Sequence, residues 1–363
     1  MKTRIIRINA DRPEKRNVER AAAAIRNGGI VVFPTETVYG IGANALDAKA
    51  CRRIFSVKGR QRDNPLIVHV SSMKMTEEIG VIPSRYREIL KRIWPAPLTV
   101  IVKSKDKVPK VVTAGLDTVA IRMPDNRVAL EMIRRAGVPV AAPSANPSKM
   151  PSSTAFRHAL KYFDGRVDII INSKQSKFGL ESTVLDLRNF TILRPGVFTT
   201  HDIEVAFGRK ARVNAVTRGA DGAAAATSPG MKYRHYAPRT PLFLYTGSRR
   251  KLARVMGSSK SRYAFIGTGD LCRSLPISRK NGMILGEKSD MKGIAARLFD
   301  ALIRLDSLNV DFAVAESFED EGIGLAIMNR LRKASNHSYF SDAKGLLILL
   351  KRYGIDINED NQV

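Results

Sequence analysis

The chain has 363 residues, of which 44% are hydrophobic and 26% are charged, a composition typical of globular proteins. Its length favours two domains, and no apolar run approaches the roughly 20 residues that a membrane helix needs. The two cysteines, Cys51 and Cys272, form neither a disulfide framework nor a zinc-binding spacing. The N-terminal segment Met1–Arg7 lacks the pattern of a signal peptide. The sequence therefore predicts a cytoplasmic protein without a membrane segment.

The formal net charge is +27, which is unusually high for a chain of this size. Such a field attracts nucleotides, RNA or acidic surfaces, but it does not distinguish among them. The chain has no RGG repeat, no zinc-finger spacing and no RRM-type aromatic motif. The charge alone is therefore weak evidence for RNA binding.

The first 200 residues alternate between helix-like and strand-like segments. A helix is predicted at Asn17–Asn27, stopped by Gly28-Gly29, and a second helix runs from the capping residue Asp47 to about Val57. The last two strands form a predicted hairpin, so we expect an α/β sheet with some antiparallel pairing. The predicted strands are Ile30–Phe33, Leu66–Val70, Leu98–Lys103, Val119–Arg122, Val138–Ala142, Val167–Ile171, Thr183–Leu187 and Thr191–Leu193.

The pattern breaks between about Phe207 and Arg239, where Asp221–Ala226 has little to bury and Ser228-Pro229-Gly230 is typical of a turn. This stretch is a candidate linker. Alternation then resumes and predicts a small, mainly parallel sheet with crossover helices. Its strands are predicted at Leu242–Tyr245, Tyr263–Ile266, Met283–Leu285 and Phe312–Ala315, and one helix shows an apolar face made of Ile294, Leu298, Leu302 and Leu305.

The most informative segment is Val57–His69. The stretch Cys51–Arg62 contains five basic residues and no acidic one, and an apolar run follows it. At the entrance to this strand, Lys58 supplies a point charge and Arg60 a planar fork of donors, a combination that suits a polyphosphate. For the segment alone, a solvated basic helix end is the commoner explanation.

Polar side chains also follow other predicted strands, at the edge where open α/β sheets bind ligands. Thr35 and Thr37 follow the strand that ends at Phe33, and Gly40 and Gly42 allow a close backbone approach, although an ordinary glycine-bearing turn explains this segment equally well.

A second polar loop contains Ser144 and Asn146, which alternate and can face the same side. Asn146 is also a common residue for satisfying the backbone of a turn. Arg122 lies near the end of another strand, where a partly buried guanidinium requires a carboxylate or a phosphate. Glu181-Ser182-Thr183 and Arg194-Pro195-Gly196 add further polar groups.

The linker segment Ser228–Pro238 carries two tyrosines, a histidine and two cations. A passive tether does not need these side chains. For such a segment alone, structural docking is a commoner role than catalysis.

No dedicated metal site is predicted, because the five histidines are scattered and no cysteine pair accompanies them. The sequence also has no Walker loop, nucleophile elbow or dinucleotide-binding fingerprint.

Together these segments resemble the YrdC-like threonylcarbamoyl-AMP synthases in their long, two-domain form. The matching pieces, which run along nearly the whole chain, are Pro34–Gly40, the Lys58-x-Arg60 pair with Asn64-Pro65-Leu66 and His69, Arg122, Ser144-x-Asn146, Glu181-Ser182-Thr183, Arg194-Pro195-Gly196, His235-Tyr236-x-Pro238 and Gly322–Leu331. The resemblance implies a YrdC-like twisted mixed sheet with flanking helices in residues 1–207. It also implies a linker or lid in 208–239 and a smaller Rossmann-like parallel α/β domain in 240–363.

The resemblance further implies a reaction. L-threonine, bicarbonate and ATP, accompanied by Mg²⁺, would give L-threonylcarbamoyladenylate and pyrophosphate, the first step of tRNA threonylcarbamoyladenosine modification. Such chemistry needs positioning and charge stabilisation more than a protein nucleophile. Lys58 and Arg60 are implied to be catalytic. The implied ATP contacts are Lys58, Arg60, Asn64, Ser144, Asn146, Ser153, Arg194 and Tyr236, with Tyr236 closing over the nucleotide. The implied threonine or carbamate contacts are Thr35, Thr37, His69, Arg122 and Ser182.

The chain departs from the usual family pattern at three places. Lys149 replaces a common glycine, Ser152-Ser153-Thr154 replaces a Ser-Pro-Thr, and Gln61 replaces a common proline. The implied partners are the small substrates, downstream threonylcarbamoyl-transfer proteins and, as a possibility, tRNA or double-stranded RNA. One alternative is an RNA-binding protein without adenylating activity. Another is the carbamoyl-transfer domain of hydrogenase maturation proteins, whose zinc-binding cysteines this chain lacks.

Overall fold

The computed structural model describes residues 2–215, 236–257 and 261–355. The chain divides into two compact units, one formed by Met1–Ser148 with Ser152–Tyr233 and the other by Lys149–Pro151 with Arg234–Val363. Most of the predicted linker or lid, residues 216–235, lies outside the described residues, and the predicted boundaries at 207 and 239 remain predictions.

The first unit contains a mixed sheet flanked by helices, as predicted. Its strands follow the order β1-β9-β2-β3-β8-β4-β7-β6-β10-β11-β12, with β5 paired to β6. The strands are β1 (Arg4–Arg7), β2 (Val31–Phe33), β3 (Gly40–Asn44), β4 (Ile67–His69), β5 (Gly80–Val81), β6 (Leu98–Ser104), β7 (Thr118–Arg122), β8 (Val140–Ala141), β9 (Ile169–Asn172), β10 (Thr183–Asp186), β11 (Thr191–Arg194) and β12 (Arg212–Val213). The pairs β4–β7 and β6–β10 are parallel, whereas β6–β7 and the predicted hairpin β10–β11 are antiparallel.

The helices of this unit begin and end at residues with clear local causes, and α2 shows this best. The Asp47 carboxylate accepts hydrogen bonds from the N–H groups of Lys49 and Ala50, and Gly59 ends the helix with a φ of +61°. Lys58 is therefore the last residue of α2. The helices are α1 (Lys15–Arg26), α2 (Ala48–Lys58), α3 (Met73–Ile79), α4 (Ser84–Ile93), α5 (Lys110–Thr113), α6 (Arg127–Ala136), α7 (Phe156–Phe163) and α8 (Thr200–Phe207).

The glycine-bearing segment after β2 is a strand rather than a turn. Gly40–Asn44 forms β3 and pairs antiparallel with β2. A Cβ atom added to Gly42 would lie 2.7 Å from side-chain atoms of both Phe33 and Val140. Gly42 therefore allows the close approach that the sequence predicts, and the groups that approach it are core side chains.

The second unit is the predicted smaller parallel sheet with crossover helices. Its strand order is β15-β14-β16-β13-β17, and each pair is parallel. Ile294, Leu298, Leu302 and Leu305 are all buried, as their helical spacing predicts. The elements are β13 (Leu242–Tyr245), α9 (Arg249–Gly257), β14 (Tyr263–Thr268), α10 (Gly269–Arg273), β15 (Gly282–Gly286), α11 (Met291–Leu305), β16 (Phe312–Glu316), α12 (Gly322–Ala334), β17 (Tyr339–Phe340) and α13 (Ala343–Arg352). Among the described helices of both units, none is long and apolar enough to span a membrane.

Candidate active site

The C-terminal end of α2 is joined to the loop that follows β8. Lys58 Nζ donates a hydrogen bond to the backbone carbonyl of Ser144 at 2.5 Å and another to the carbonyl of Asn146. The N–H of Ser148 returns a bond to the Lys58 carbonyl at 2.8 Å. The structure thus brings the Lys-x-Arg and Ser-x-Asn motifs together, although 86 residues separate Lys58 from Ser144.

Internal hydrogen bonds fix the conformation of this loop. Ser144 Oγ donates to Asn146 Oδ1 at 2.6 Å, and the Asn146 amide donates to the Pro147 carbonyl at 2.9 Å. Ser153 Oγ donates to the Ala145 carbonyl. The side chains of three predicted ATP contacts, Ser144, Asn146 and Ser153, therefore belong to one ordered loop.

Arg60 and Asn64 lie on the connection between α2 and β4. Arg60 donates to the carbonyls of Asn64 and Pro65, at 3.3 and 2.9 Å, which fixes the direction of its guanidinium. Asn64 is buried, and its Oδ1 has no hydrogen-bond partner among the described residues. A buried amide oxygen of this kind suits a ligand that brings a donor.

The electrostatic environment of Lys58 is unusual for a lysine. Burial and the positive charge of Arg60 hold the pKa of Lys58 well below its usual value, while Glu181 acts in the opposite direction. A negatively charged ligand would favour the protonated ammonium. This environment therefore suits phosphate groups.

A second cluster surrounds Arg122 at the end of β7. Arg122 Nη1 donates to Thr37 Oγ1 at 2.8 Å, and Arg122 Nη2 forms an ion pair with Glu36 in which both side chains are buried. Thr35 Oγ1 donates to the Val38 carbonyl at 2.6 Å and lies 2.9 Å from Thr37 Oγ1. The sequence predicts a carboxylate or a phosphate beside Arg122, and the protein itself supplies a carboxylate there, that of Glu36.

His69 ends β4 and pairs in register with Arg122 on β7. Burial, together with the positive charge of Arg122, lowers the pKa of His69 to about 3. The imidazole is thus neutral at physiological pH. Its Nδ1 makes no hydrogen bond to any residue in the described part of the chain.

Ser182 and Arg194 lie next to this cluster, on the β10–β11 hairpin. Arg194 donates from Nε and Nη2 to the Ser182 carbonyl, at 3.1 and 3.0 Å, and from Nη2 to Ser182 Oγ at 3.2 Å. Ser182 Oγ lies 2.7 Å from the hydroxyl of Thr99, and Thr99 pairs in register with Arg122. Arg194, a predicted ATP contact, and Ser182, a predicted threonine contact, thus belong to one hydrogen-bond network.

Tyr236, the remaining predicted ATP contact, belongs to the second unit. The ring centroid of Tyr236 lies 5.1 Å from the ring centroid of Phe299, and 5.9 Å from the guanidinium carbon of Arg330. These contacts of Tyr236 lie within the second unit. Its role in binding ATP remains a prediction.

Sequence reasoning did not assign Glu36 and Thr99, which contact predicted site residues, or the hydrogen-bonded pair Ser152 and Glu181. Glu36 pairs with Arg122, Thr99 bonds to Ser182, and Ser152 Oγ donates to Glu181 at 2.5 Å. Glu36 lies between the predicted threonine contacts Thr35 and Thr37, and this position is the sequence feature that could have indicated a role in the site. In the ranges 2–215, 236–257 and 261–355, no group of three or more His, Cys, Asp or Glu residues could hold a metal ion.

Comparison with known proteins identifies the family. A family model described as "Telomere recombination" matches residues 23–196, and one described as "Threonylcarbamoyl-AMP synthase, C-terminal domain" matches residues 198–336. The chain is 41% identical to a threonylcarbamoyl-AMP synthase of Pyrococcus abyssi, over 90% of this chain and 96% of the relative. The chain belongs to the threonylcarbamoyl-AMP synthase family, in its long two-domain form. A second member of this family, from Bacillus subtilis, is 41% identical over 88% of this chain and 92% of its own length.

A solved structure shows the same family relationship. The crystal structure of P. abyssi Sua5 complexed with L-threonine superposes with a TM-score of 0.87 at 41% identity. The match covers 93% of this chain and 99% of the Sua5 chain. Both the mixed sheet and the smaller parallel sheet are thus features of the threonylcarbamoyl-AMP synthase family.

Proposed function

We propose that this protein converts L-threonine, bicarbonate and ATP to L-threonylcarbamoyladenylate and pyrophosphate, as the first step of tRNA threonylcarbamoyladenosine modification. The observation that carries the proposal is the 41% identity to a named threonylcarbamoyl-AMP synthase along 90% of the chain. Members that are this similar over both domains commonly share a reaction. The comparisons favour this activity over an RNA-binding role without adenylation.

The nucleotide is proposed to bind beside Lys58 and Arg60, where Lys58 bonds to the loop that carries Ser144 and Asn146. Lys58 and Arg60 would stabilise the charge that develops at the α-phosphorus as the carbamate oxygen attacks. Their directions are fixed by backbone carbonyls in the free protein, so little reorganisation accompanies the reaction. The other proposed ATP contacts are Asn64, Ser144, Asn146, Ser153, Arg194 and Tyr236.

Threonine is proposed to bind at the Arg122 cluster, with its carboxylate or the carbamate facing the guanidinium. Thr35, Thr37, His69 and Ser182 would line this part of the site, and their hydroxyl and imidazole groups are buried. Mg²⁺ would enter with ATP, because this hard cation prefers phosphate oxygens and water.

The proposed product is a labile mixed anhydride that must reach downstream threonylcarbamoyl-transfer proteins. A cytoplasmic location follows from this role in tRNA modification. Direct contact with tRNA is compatible with the net charge of +27, but the proposed reaction does not require it.

The reaction can be tested by incubating the protein with ATP, Mg²⁺, bicarbonate and each amino acid in turn, and by measuring pyrophosphate. We expect release that depends on both threonine and bicarbonate, together with a threonylcarbamoyl-AMP species detected by mass spectrometry. Binding of RNA without any threonine-dependent pyrophosphate would contradict the proposal and favour the RNA-binding alternative.

A further inference from the structure

Glu36 carries a buried carboxylate oxygen without a hydrogen-bond donor. The residue is 3% exposed, and Oε1 faces Arg122 Nη2 in the buried ion pair. The other oxygen, Oε2, accepts no hydrogen bond within the part of the chain that the structure describes. Leaving such an oxygen without a donor is costly, and a ligand that supplies one would remove the cost.

Beside Glu36, the guanidinium of Arg122 has a donor without an acceptor within the described ranges. Arg122 Nε donates to no acceptor among the described residues, although Arg122 Nη1 bonds to Thr37. A carboxylate that needs a donor therefore lies beside a guanidinium that needs an acceptor. An amino-acid zwitterion offers both, because its carboxylate suits Arg122 and its ammonium suits Glu36.

We propose that Glu36 is a catalytic residue that binds the ammonium group of the amino-acid substrate and accepts its proton. This inference rests on the proposed function. An ammonium group has no lone pair and cannot attack bicarbonate, so the nitrogen must first lose a proton. The proton passes to the Glu36 carboxylate, leaving a neutral amine and a carboxylic acid.

The amine nitrogen then forms a bond to the bicarbonate carbon. The carbon–hydroxyl bond breaks, and the hydroxide leaves as water with a second proton from nitrogen. The products are the carbamate and water, and Glu36 returns its proton to solvent. One threonine zwitterion and one bicarbonate thus yield one carbamate, one water and one proton, and no oxidant or reductant is needed.

The other titratable groups near Glu36 are less suited to this proton transfer. Arg122, from β7, carries no acceptor, and the pKa of His69, on the adjacent β4, is lowered to about 3. On the segment after β9, the N–H of Phe178 donates to the Glu36 carbonyl at 2.9 Å, Lys177 is exposed, and the buried Glu181 accepts a bond from Ser152. Among these groups Glu36 is the base that directly contacts the proposed carboxylate-binding arginine.

The decisive experiment compares Glu36→Gln with the wild-type enzyme in both directions of the reaction. The forward assay measures pyrophosphate from threonine, bicarbonate and ATP. The reverse assay measures ATP from purified threonylcarbamoyl-AMP and pyrophosphate, a step that needs no amine deprotonation. We expect the variant to lose at least about 100-fold in forward kcat/KM at pH 7, as is usual when a general base is removed, and to lose less than about tenfold in the reverse direction.

The pH profile provides a second readout. The forward rate of Glu36→Gln should rise with pH as free threonine loses its ammonium proton in solution, and Glu36→Asp should recover part of the activity at pH 7. The matched control is Glu78→Gln, which neutralises an exposed glutamate on α3 and should behave as the wild type. Thermal unfolding of each variant checks that the fold is intact.

Equal losses in both directions with an unchanged pH profile would show that Glu36 only supports the structure. Full forward activity in Glu36→Gln would also overturn the proposal. A failure of the proposed function looks different, because the wild-type protein itself would then release no threonine-dependent pyrophosphate.

Discussion

Lys58 Nζ donates to the Ser144 backbone carbonyl at 2.5 Å, and this bond joins the end of α2 to the loop after β8. The ammonium group also bonds to the Asn146 carbonyl, so two of its three donors hold protein backbone. One donor remains for a ligand. Lys58 is therefore both an anchor of the loop and a proposed phosphate contact, whereas Arg60 bonds within its own connection.

Substitution of these two cations should have different effects on stability. We expect Lys58→Met and Arg60→Ala each to lower threonylcarbamoyl-AMP formation at least about 100-fold, because each removes a cation proposed to stabilise the charge that develops at the α-phosphorus. Lys58→Met should also lower the free energy of unfolding, by about 1–3 kcal/mol, because it removes a donor from the carbonyls of Ser144 and Asn146 and so releases the loop from α2. Arg60→Ala should lower it less, because the two bonds of Arg60 stay within one connection. Pyrophosphate release and urea-induced unfolding measure the two quantities.

The matched control for both is Lys49→Met, which removes an exposed cation from the same helix. It should change neither activity nor stability appreciably. Near-wild-type turnover in both site variants would remove Lys58 and Arg60 from the proposed phosphate site.

The local features of this site could be predicted from the sequence, because their causes are local. The helix from Asp47 to about Val57 was predicted from its capping residue, and the structure confirms it as α2. The strands β6 and β7 could also be predicted, because their apolar runs are local features of the sequence. The strands missed were short or glycine-bearing, such as Gly80–Val81 and Gly40–Asn44. Each is defined by its pairing with a neighbouring strand, β6 or β2, and a local sequence pattern does not show such a pairing.

The partners within the site could not be predicted in this way. Glu36 and Arg122 are far apart in the sequence, and the ion pair between them exists only because β7 ends beside the segment after β2. The sequence predicts that Arg122 needs an anion, but it does not say whether the protein or a ligand supplies it. In the structure the protein supplies one carboxylate, and Arg122 Nε still has no acceptor among the described residues.

Nucleotide binding should be accompanied by proton uptake. Burial and Arg60 hold the pKa of Lys58 well below its usual value in the free protein, and negative phosphates would raise it again. Above the pKa of the free protein, ATP binding should therefore add a proton to Lys58. Calorimetric titrations at a series of increasing pH values, each in two buffers with different ionisation enthalpies, measure this uptake, and Lys58→Met should abolish it. Equal binding enthalpies in both buffers for the wild type would contradict the prediction.

His69 should make stability depend on pH in the acid range. Its pKa is lowered to about 3 in the folded protein, whereas an unfolded histidine titrates near 6.5, so below that value the unfolded chain binds more protons. The free energy of unfolding should then fall as the pH falls from about 6.5 towards 3, by at most about 1.4 kcal/mol per pH unit. Urea-induced unfolding at several pH values measures the slope. His69→Asn should show a shallower slope than the wild type, and identical slopes would refute the assignment.

Lys149 adopts a backbone conformation that favours glycine. Lys149 has a φ of +74°, in the left-handed region where a Cβ atom is unfavourable. Lys149→Gly should therefore raise the free energy of unfolding, by up to about 1 kcal/mol. The control is Lys107→Gly, an exposed loop position without a positive φ, which should be neutral or destabilising. If both substitutions lower stability equally, the backbone at Lys149 is not strained.

The hydroxyl groups around Arg122 should make the enzyme select threonine over valine. Thr35 donates to the Val38 carbonyl, so the Thr37 hydroxyl donates to Thr35 and accepts from Arg122. A hydroxyl oxygen has two lone pairs, and the second one of Thr37 can accept the substrate hydroxyl. Valine would leave buried polar groups unpaired, at a cost of about 1–3 kcal/mol, which corresponds to a preference of roughly 5- to 150-fold. Serine should be the best competitor, because it keeps the hydroxyl and loses only a methyl group.

The substitution Thr37→Val tests the same contact from the side of the protein. It keeps the shape of the side chain but removes the acceptor of Arg122 Nη1, so the KM for threonine should rise at least about fivefold and the preference over valine should shrink. Thr37→Ser retains the hydroxyl and is the matched control, with a smaller change expected in both quantities. Pyrophosphate release measured with threonine, serine and valine gives kcat/KM for each enzyme. Equal turnover of valine and threonine by the wild type would show that these hydroxyls do not select the substrate.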